Sequence, residues 1–123
     1  LIETGTYKHP WLGVSALDVN IAIADAIGLE KPQGVLIVDV TEGSPAEQVG
    51  LRGADQNVTL DGQLTPIGGD VITGIDGLPT RRLTDLVVYM ERNTSPGDSV
   101  VFEIVRDGQE RSVEVTLGER PLP

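Results

Sequence analysis

The segment Trp11-Leu12-Gly13-Val14 has the residue types in this chain that most clearly suggest a binding function. A glycine between apolar residues permits positive φ and close approach, so several main-chain N–H groups can point at one anion. The flanking apolar side chains can form the wall of a small pocket. Such a loop suits the carboxylate at the end of a peptide. Taken alone, the segment also fits the start of an ordinary buried strand.

A second group of residues has the spacing of an amphipathic helix. Leu83, Leu86, Val87 and Met90 recur at i, i+3, i+4 and i+7, which predicts a helix over 83–92. Such a stripe is typical of a helix packed on a core, and part of it can also wall a pocket. We expect Leu86 to lie in the core.

The chain offers little for catalysis or for metal binding. His9 is its one histidine and stands before a proline, as is typical of a linker residue. A serine-protease triad also needs a nucleophile and an oriented acid, and the motif Gly-x-Ser-Gly is absent. Asp70 and Asp76 lie in one strand region, which does not favour an opposed acid and base. We therefore expect no enzyme activity in this chain, no cofactor and no metal.

Composition narrows the class of protein. The chain has 123 residues, which is enough for one domain, and it contains no Cys. Its net charge of −10 disfavours nucleic acid as a partner. No apolar run approaches the ~20 residues of a transmembrane segment. The first residue is Leu and not Met, so we expect a piece of a longer protein, with any anchor upstream.

Turn and capping signals divide the chain into short elements. Asp18 or Asn20 can cap a helix that Gly28 ends, and Ser44 with Glu47 predicts a capping box for another. The remaining predictions are a strand over 34–40, a small hairpin within 53–69, a strand over 70–75 and a closing hairpin that turns at Asp107-Gly108. The pattern is that of an α+β domain, mainly β, with about six strands and two or three short helices on a curled, mostly antiparallel sheet.

Four segments in this order resemble the PDZ domain of the HtrA (Deg) family of trypsin-like serine proteases. The first is residues 7–14. The second comprises Gly34-Val35-Leu36-Ile37, Ser44-Pro45-Ala46 and Gly50-Leu51. The third is residues 69–77, and the fourth is the 83–92 helix with the closing hairpin. The resemblance implies a partly open antiparallel β-barrel or sandwich. It also implies a linker from an absent protease domain (1–9), the PDZ domain (10–119) and a C-terminal tail (120–123). The 55–68 segment is longer than the simplest family members need.

The same resemblance implies a peptide-binding groove. The last residues of a partner chain would add as a strand beside Ser15, Ala16 and Leu17, with their carboxylate on the loop Trp11–Val14. The hydrophobic pocket would be lined by Leu12, Val14, Leu83, Val87 and Met90. Leu83 would meet the peptide residue two before the end, because alternate side chains of a strand face the same way.

The function that follows is that of a peptide-binding module of an HtrA-type serine endopeptidase. Its partners would be protein C-termini or extended hydrophobic segments of unfolded proteins, and a protease domain in cis whose action it targets or regulates. The location would be outside the cytoplasm, in the periplasm or at the cell surface. The alternative is a PDZ scaffold or secretion-system module without a protease. Lys8, Arg81, Arg82 and Arg92 are either a basic rim that attracts the carboxylate or ordinary solvated residues.

Overall fold

A computed structural model describes residues 10–119 of the chain, and the expected linker (1–9) and tail (120–123) lie outside the described residues. Three helices and ten strands occur within 10–119. In chain order they are β1 (Pro10–Trp11), β2 (Val14–Asp18), α1 (Ile21–Ile27), β3 (Val35–Val40), α2 (Pro45–Gln48), β4 (Gln56–Leu60), β5 (Gln63–Ile67), β6 (Val71–Ile75), β7 (Leu78–Pro79), α3 (Leu83–Asn93), β8 (Ser99–Arg106), β9 (Gln109–Thr116) and β10 (Gly118–Glu119).

The main sheet is antiparallel, with strand order β2-β3-β6-β8-β9 and with β7 paired to β6. The α+β, mainly β fold class is confirmed, although the ten strands of residues 10–119 exceed the six or so expected, because β1, β7 and β10 are only two residues long. Two further pairs, β1–β10 and β4–β5, lie outside this sheet. The pairing of β1 with β10 joins two-residue strands from opposite ends of the domain, which no local alternation in the sequence can reveal.

Three Asp-Gly pairs form tight turns, and one of them is the turn predicted at Asp107-Gly108. Asp61-Gly62, Asp76-Gly77 and Asp107-Gly108 have φ of 50° and 80°, 50° and 83°, and 53° and 78°. Positive φ at both central residues is the type I′ pattern, whose twist matches that of an antiparallel hairpin. These turns connect β4 to β5, β6 to β7 and β8 to β9.

The sheet separates two apolar clusters. Alternation along β3 directs Val35 and Ile37 into the larger cluster, which also contains the fully buried Phe102, and Leu36 into the smaller one. The smaller cluster also contains Ile23 of α1 and Ile67 of β5. The 53–69 segment therefore contributes to a second core and is more than a surface excursion.

Helix ends follow local capping for α1 and α2. The Asn20 side chain, and not that of Asp18, accepts a hydrogen bond from the N–H of Ile23 (2.8 Å). At α2 the Ser44 hydroxyl accepts from the N–H of Glu47 (3.2 Å), as predicted. The Glu47 carboxylate, however, accepts from the N–H of Gly43 (2.8 Å), because the Ser44 N–H already donates to the carbonyl of Thr41.

Candidate functional site

The 11–14 loop has its carbonyl groups turned into the domain. The Leu12 carbonyl accepts from the N–H of Ala46 (3.0 Å), and the Gly13 carbonyl accepts from the N–H of Thr41 (2.8 Å). In a trans peptide unit, C=O and N–H point in opposite directions. The N–H groups of Gly13 and Val14 therefore both point away from the domain. Positive φ at Gly13 (+88°) permits this, since successive units of a regular strand would alternate.

The loop leads directly into an edge strand. β2 pairs with β3 on one side and has no partner strand on the other within residues 10–119. Val40 lies opposite Val14, and its N–H donates to the Asp39 carboxylate (3.1 Å). Ile37 lies opposite Ala16, and its N–H donates to the carbonyl of Asp70 (2.9 Å). Neither N–H is directed at β2. By the alternation of an antiparallel ladder, the main-chain groups of Val14 and Ala16 face the free edge.

A cavity of about 150 Å³ lies between this loop and α3. Its lining comprises Pro10, Trp11, Leu12, Gly13, Val14, Leu83, Leu86, Val87, Met90 and Glu91. Every residue named above for the loop and the hydrophobic pocket is thus brought to one place. Leu86 is in the core, as expected, but it also lines the cavity; its position three residues after Leu83 was the signal that could have revealed this.

The lining residues differ in how deeply they lie. Leu12 and Met90 belong to the larger core cluster and are 4 % and 8 % exposed, so they form the floor. Val87 is 47 % exposed and Leu83 is half-buried, so they form the wall on the helix side. On β2, Ser15 and Leu17 are exposed and Ala16 is half-buried.

The opposite end of the groove, where β2 ends and α3 begins, is tied together by Asp18. Its Oδ1 accepts a hydrogen bond from the N–H of Leu83 (2.7 Å). The carboxylate of Asp85 accepts from the N–H of Arg81 (3.2 Å) and thereby holds the residues before the helix. Sequence reasoning missed this role of Asp18, because its partner is distant along the chain.

Two of the cations considered for a basic rim lie away from the loop, and a third, Arg82, is the exposed N-cap residue of α3. Arg81 and Arg92 line a different cavity, of about 550 Å³, with Val88 and Tyr89. Of these residues, Tyr89 and Arg92 lie on the side of α3 opposite to Val87. Lys8 lies outside the described residues. The structure therefore offers no support for the rim at the carboxylate loop.

The two carboxylates considered for catalysis have structural partners. Asp70 is 1 % exposed and accepts from Arg106 through Nε (2.8 Å) and Nη2 (2.7 Å), a hydrogen-bonded pair that raises the pKa of Arg106. Asp76 accepts from the N–H of Val101 (2.8 Å) and the hydroxyl of Tyr89 (2.9 Å), which raises the pKa of Tyr89. Both carboxylates hold the fold together and form no acid–base pair.

Within residues 10–119, no three side chains of the types that bind metals are grouped together. No helix in this range has the length and apolar character needed to cross a membrane.

The family profile described as "PDZ domain" matches residues 10–117. Two relatives, both named "Probable periplasmic serine endoprotease DegP-like", are similar over 121 residues, or 98 % of this chain and 22 % of their own length. The protein of Hahella chejuensis is 34 % identical, and that of Halomonas elongata is 35 % identical.

Solved structures agree in fold. "HtrA-type protease AlgW with tripeptide" superposes with a TM-score of 0.73 at 26 % identity, over 99 % of this chain and 35 % of that one. The HtrA3 PDZ domain bound to a phage-derived ligand (FGRWV) gives 0.68 at 14 % identity, over 93 % of this chain and 89 % of that one, and shows the fold alone. The chain therefore belongs to the PDZ domain family, in the form found in HtrA-type serine proteases, and contains no protease domain.

Proposed function

We propose that this domain binds the C-terminal or extended hydrophobic segments of unfolded and substrate proteins by β-strand addition in the groove between β2 and α3. The peptide would pair with the free edge of β2 beside Ser15, Ala16 and Leu17. Its carboxylate would accept hydrogen bonds from the loop of Trp11–Val14. Its last side chain would enter the cavity lined by Leu12, Val14, Leu83, Val87 and Met90.

The observation that carries this proposal is that main-chain hydrogen-bonding groups point outward along both the loop and the free edge of β2. The outward N–H groups of Gly13 and Val14 belong to residues that line the apolar cavity, and the outward edge groups continue from Val14 to Ala16 along β2. A free strand edge next to an anion-binding loop is what a terminal peptide strand needs. The HtrA-type protease AlgW named above, whose structure was solved with a tripeptide, supports the same use of the fold.

The expected affinity is moderate. Each main-chain hydrogen bond contributes about 1 kcal/mol net, and each bond to a charged carboxylate about 1.5–3 kcal/mol. Burial of one aliphatic side chain adds about 2 kcal/mol, whereas ordering a flexible peptide opposes binding by several kcal/mol. A dissociation constant of roughly 1 μM, near −8 kcal/mol, follows. Recognition should be reversible, as suits a module that hands substrates on.

We propose further that residues 10–119 are the PDZ domain, residues 1–9 a linker and residues 120–123 a tail. The partner in cis would be a serine-protease domain, and the location outside the cytoplasm, in line with the periplasmic names of the relatives. Sequencing the gene upstream of the codon for Leu1 tests this. A protease domain there is the expected result, and its absence would favour the scaffold alternative.

The binding mode is tested with one hexapeptide that ends in valine and has leucine two positions earlier. Fluorescence polarisation should give a micromolar dissociation constant for the free acid and at least tenfold weaker binding for the C-terminal amide, because the amide removes a charged acceptor. A peptide ending in glycine is the control for the side-chain pocket. Equal binding of acid and amide would refute the carboxylate role, and no binding of any peptide would refute the proposed function.

A further inference from the structure

We infer that Asp18 is a positioning residue that sets the distance between the peptide-receiving strand and the facing helix, and with it the selectivity of the groove at the peptide residue two before the end. The inference rests on the proposed function. Asp18 is the last residue of β2, and its carboxylate holds the first N–H of α3, that of Leu83, at 2.7 Å. One hydrogen bond therefore joins the two walls of the groove.

The need for this bond comes from the sequence at the start of α3. The first N–H groups of a helix have no partner within it, and a Ser, Thr, Asp or Asn at the N-cap normally supplies one. At α3 the N-cap residue is Arg82, which makes no such bond. Asp18 supplies the acceptor from 65 residues away. At α1, by contrast, Asn20 caps its own helix.

The surrounding main-chain bonds fix the neighbouring segments but do not replace this one. The N–H of Val19 donates to the carbonyl of Gly34 (3.0 Å), and the N–H of Gly34 donates to the carbonyl of Arg81 (2.9 Å). These bonds hold the chain before α3 against the chain before β3. Without the Asp18 carboxylate, the corner would remain folded, but the first turn of α3 could move relative to β2.

The peptide residue that senses such a movement is defined by strand geometry. Leu83 lies in the first turn of α3 and lines the cavity. In a strand added to β2, the side chain two before the end faces the same way as the last one and meets Leu83. The last side chain lies near Leu12 and Met90, which the larger core cluster holds. Asp18 should therefore affect selectivity at the earlier position and much less at the last.

The experiment compares two peptides, with leucine or glycine two before a C-terminal valine, on the wild-type chain and on Asp18→Ala, Asp18→Asn and Asn20→Ala. For the wild type we expect a preference for leucine of about tenfold. In Asp18→Ala the preference should fall to about twofold, whereas Asp18→Asn, which keeps an acceptor oxygen, should retain it. Asn20→Ala is the matched control: it also removes one helix cap, with a similar loss of stability, but away from the groove.

The outcomes separate the two proposals. An unchanged preference for leucine in Asp18→Ala, or an equal loss in Asp18→Asn, would overturn the positioning role. Failure of the wild type to bind either peptide would overturn the proposed function instead. Amide hydrogen exchange gives a second readout: exchange at Leu83 should accelerate in Asp18→Ala and not in Asn20→Ala. Unaltered exchange in Asp18→Ala would contradict the hydrogen bond on which the inference depends.

Discussion

At the residue scale, the conformation of the loop Trp11–Val14 depends on glycine at position 13. Its φ of +88° is a conformation that glycine adopts readily, and it lets two successive N–H groups point outward. A second constraint is space. A Cβ at Gly13 would overlap the Cβ of Ser44, which is fully buried at the start of α2. Ser44 cannot move away without losing its hydrogen bond to the N–H of Glu47.

The substitution Gly13→Ala should therefore lower both stability and peptide affinity. The positive φ costs about 1–2 kcal/mol and the overlap adds about 1–3 kcal/mol. Urea denaturation measures the first effect, and fluorescence polarisation with the hexapeptide measures the second. Gly43→Ala is the control, because Gly43 has a similar φ of +79° but nothing within 4 Å of the added Cβ. Equal losses of stability in the two variants would show that the overlap with Ser44 is unimportant.

At the element scale, α3 has two unlike faces. Leu83, Leu86, Val87 and Met90 line the groove, whereas Asp85, Val88, Tyr89 and Arg92 line the cavity on the other side. Helical periodicity predicts the first face correctly as one stripe. It does not show that Met90, at 8 % exposure, is also part of the core. A charge at Met90 would disturb folding, so it is a poor test of binding alone.

Val87 and Val88 offer a better test, because these adjacent residues are 47 % and 43 % exposed and face different cavities. Val87→Glu should weaken hexapeptide binding at least tenfold, since it places a charge beside an apolar side chain and near the peptide carboxylate. Val88→Glu should leave affinity within twofold. The free energy of unfolding of both variants should lie within about 0.5 kcal/mol of the wild-type value, as is usual for surface substitutions. Similar affinities for the two variants would place the peptide elsewhere.

At the scale of the whole molecule, the two apolar clusters support different parts of the domain. The larger one supports the groove through Leu12, Leu86 and Met90. The smaller one joins α1 and the β4–β5 hairpin to the opposite side of the sheet, through Ile23 and Ile67. The main sheet, including the bulge at Ser15 and Ala16, lies between them. Substitutions in the smaller cluster should therefore leave peptide affinity unchanged.

Two core truncations test this division. Ile23→Ala and Leu86→Ala both remove side chains that are 3 % exposed, and each should cost about 2–4 kcal/mol of unfolding free energy. Ile23→Ala should leave the dissociation constant of the hexapeptide unchanged, whereas Leu86→Ala, in the wall of the cavity, should raise it. Denaturant unfolding and fluorescence polarisation give the two quantities. A parallel loss of affinity in Ile23→Ala would mean that the clusters are coupled.

Much of this organisation was predictable from local patterns. The helix over 83–92, the turn at Asp107-Gly108 and the hairpin within 53–69 are all present where periodicity and turn chemistry predicted them. Local signals failed where a partner comes from far along the chain. Asp18 was a candidate cap for the nearest helix and instead serves α3. Arg81 and Arg92 were near the right helix but on its other face.

By itself the sequence determined the family, the helix over 83–92, the hairpin that turns at Asp107-Gly108 and the glycine on which the loop depends, because these follow from residue spacing, turn chemistry and motif order over short distances. The resemblance implied that a peptide adds beside β2 and meets the 83–92 helix, but only the tertiary structure decided that β2 has a free edge within residues 10–119 and that Asp18 joins it to α3. The physical reason is that a groove is a relation between two segments. Its width depends on register and packing between residues far apart in the chain, which no local pattern records.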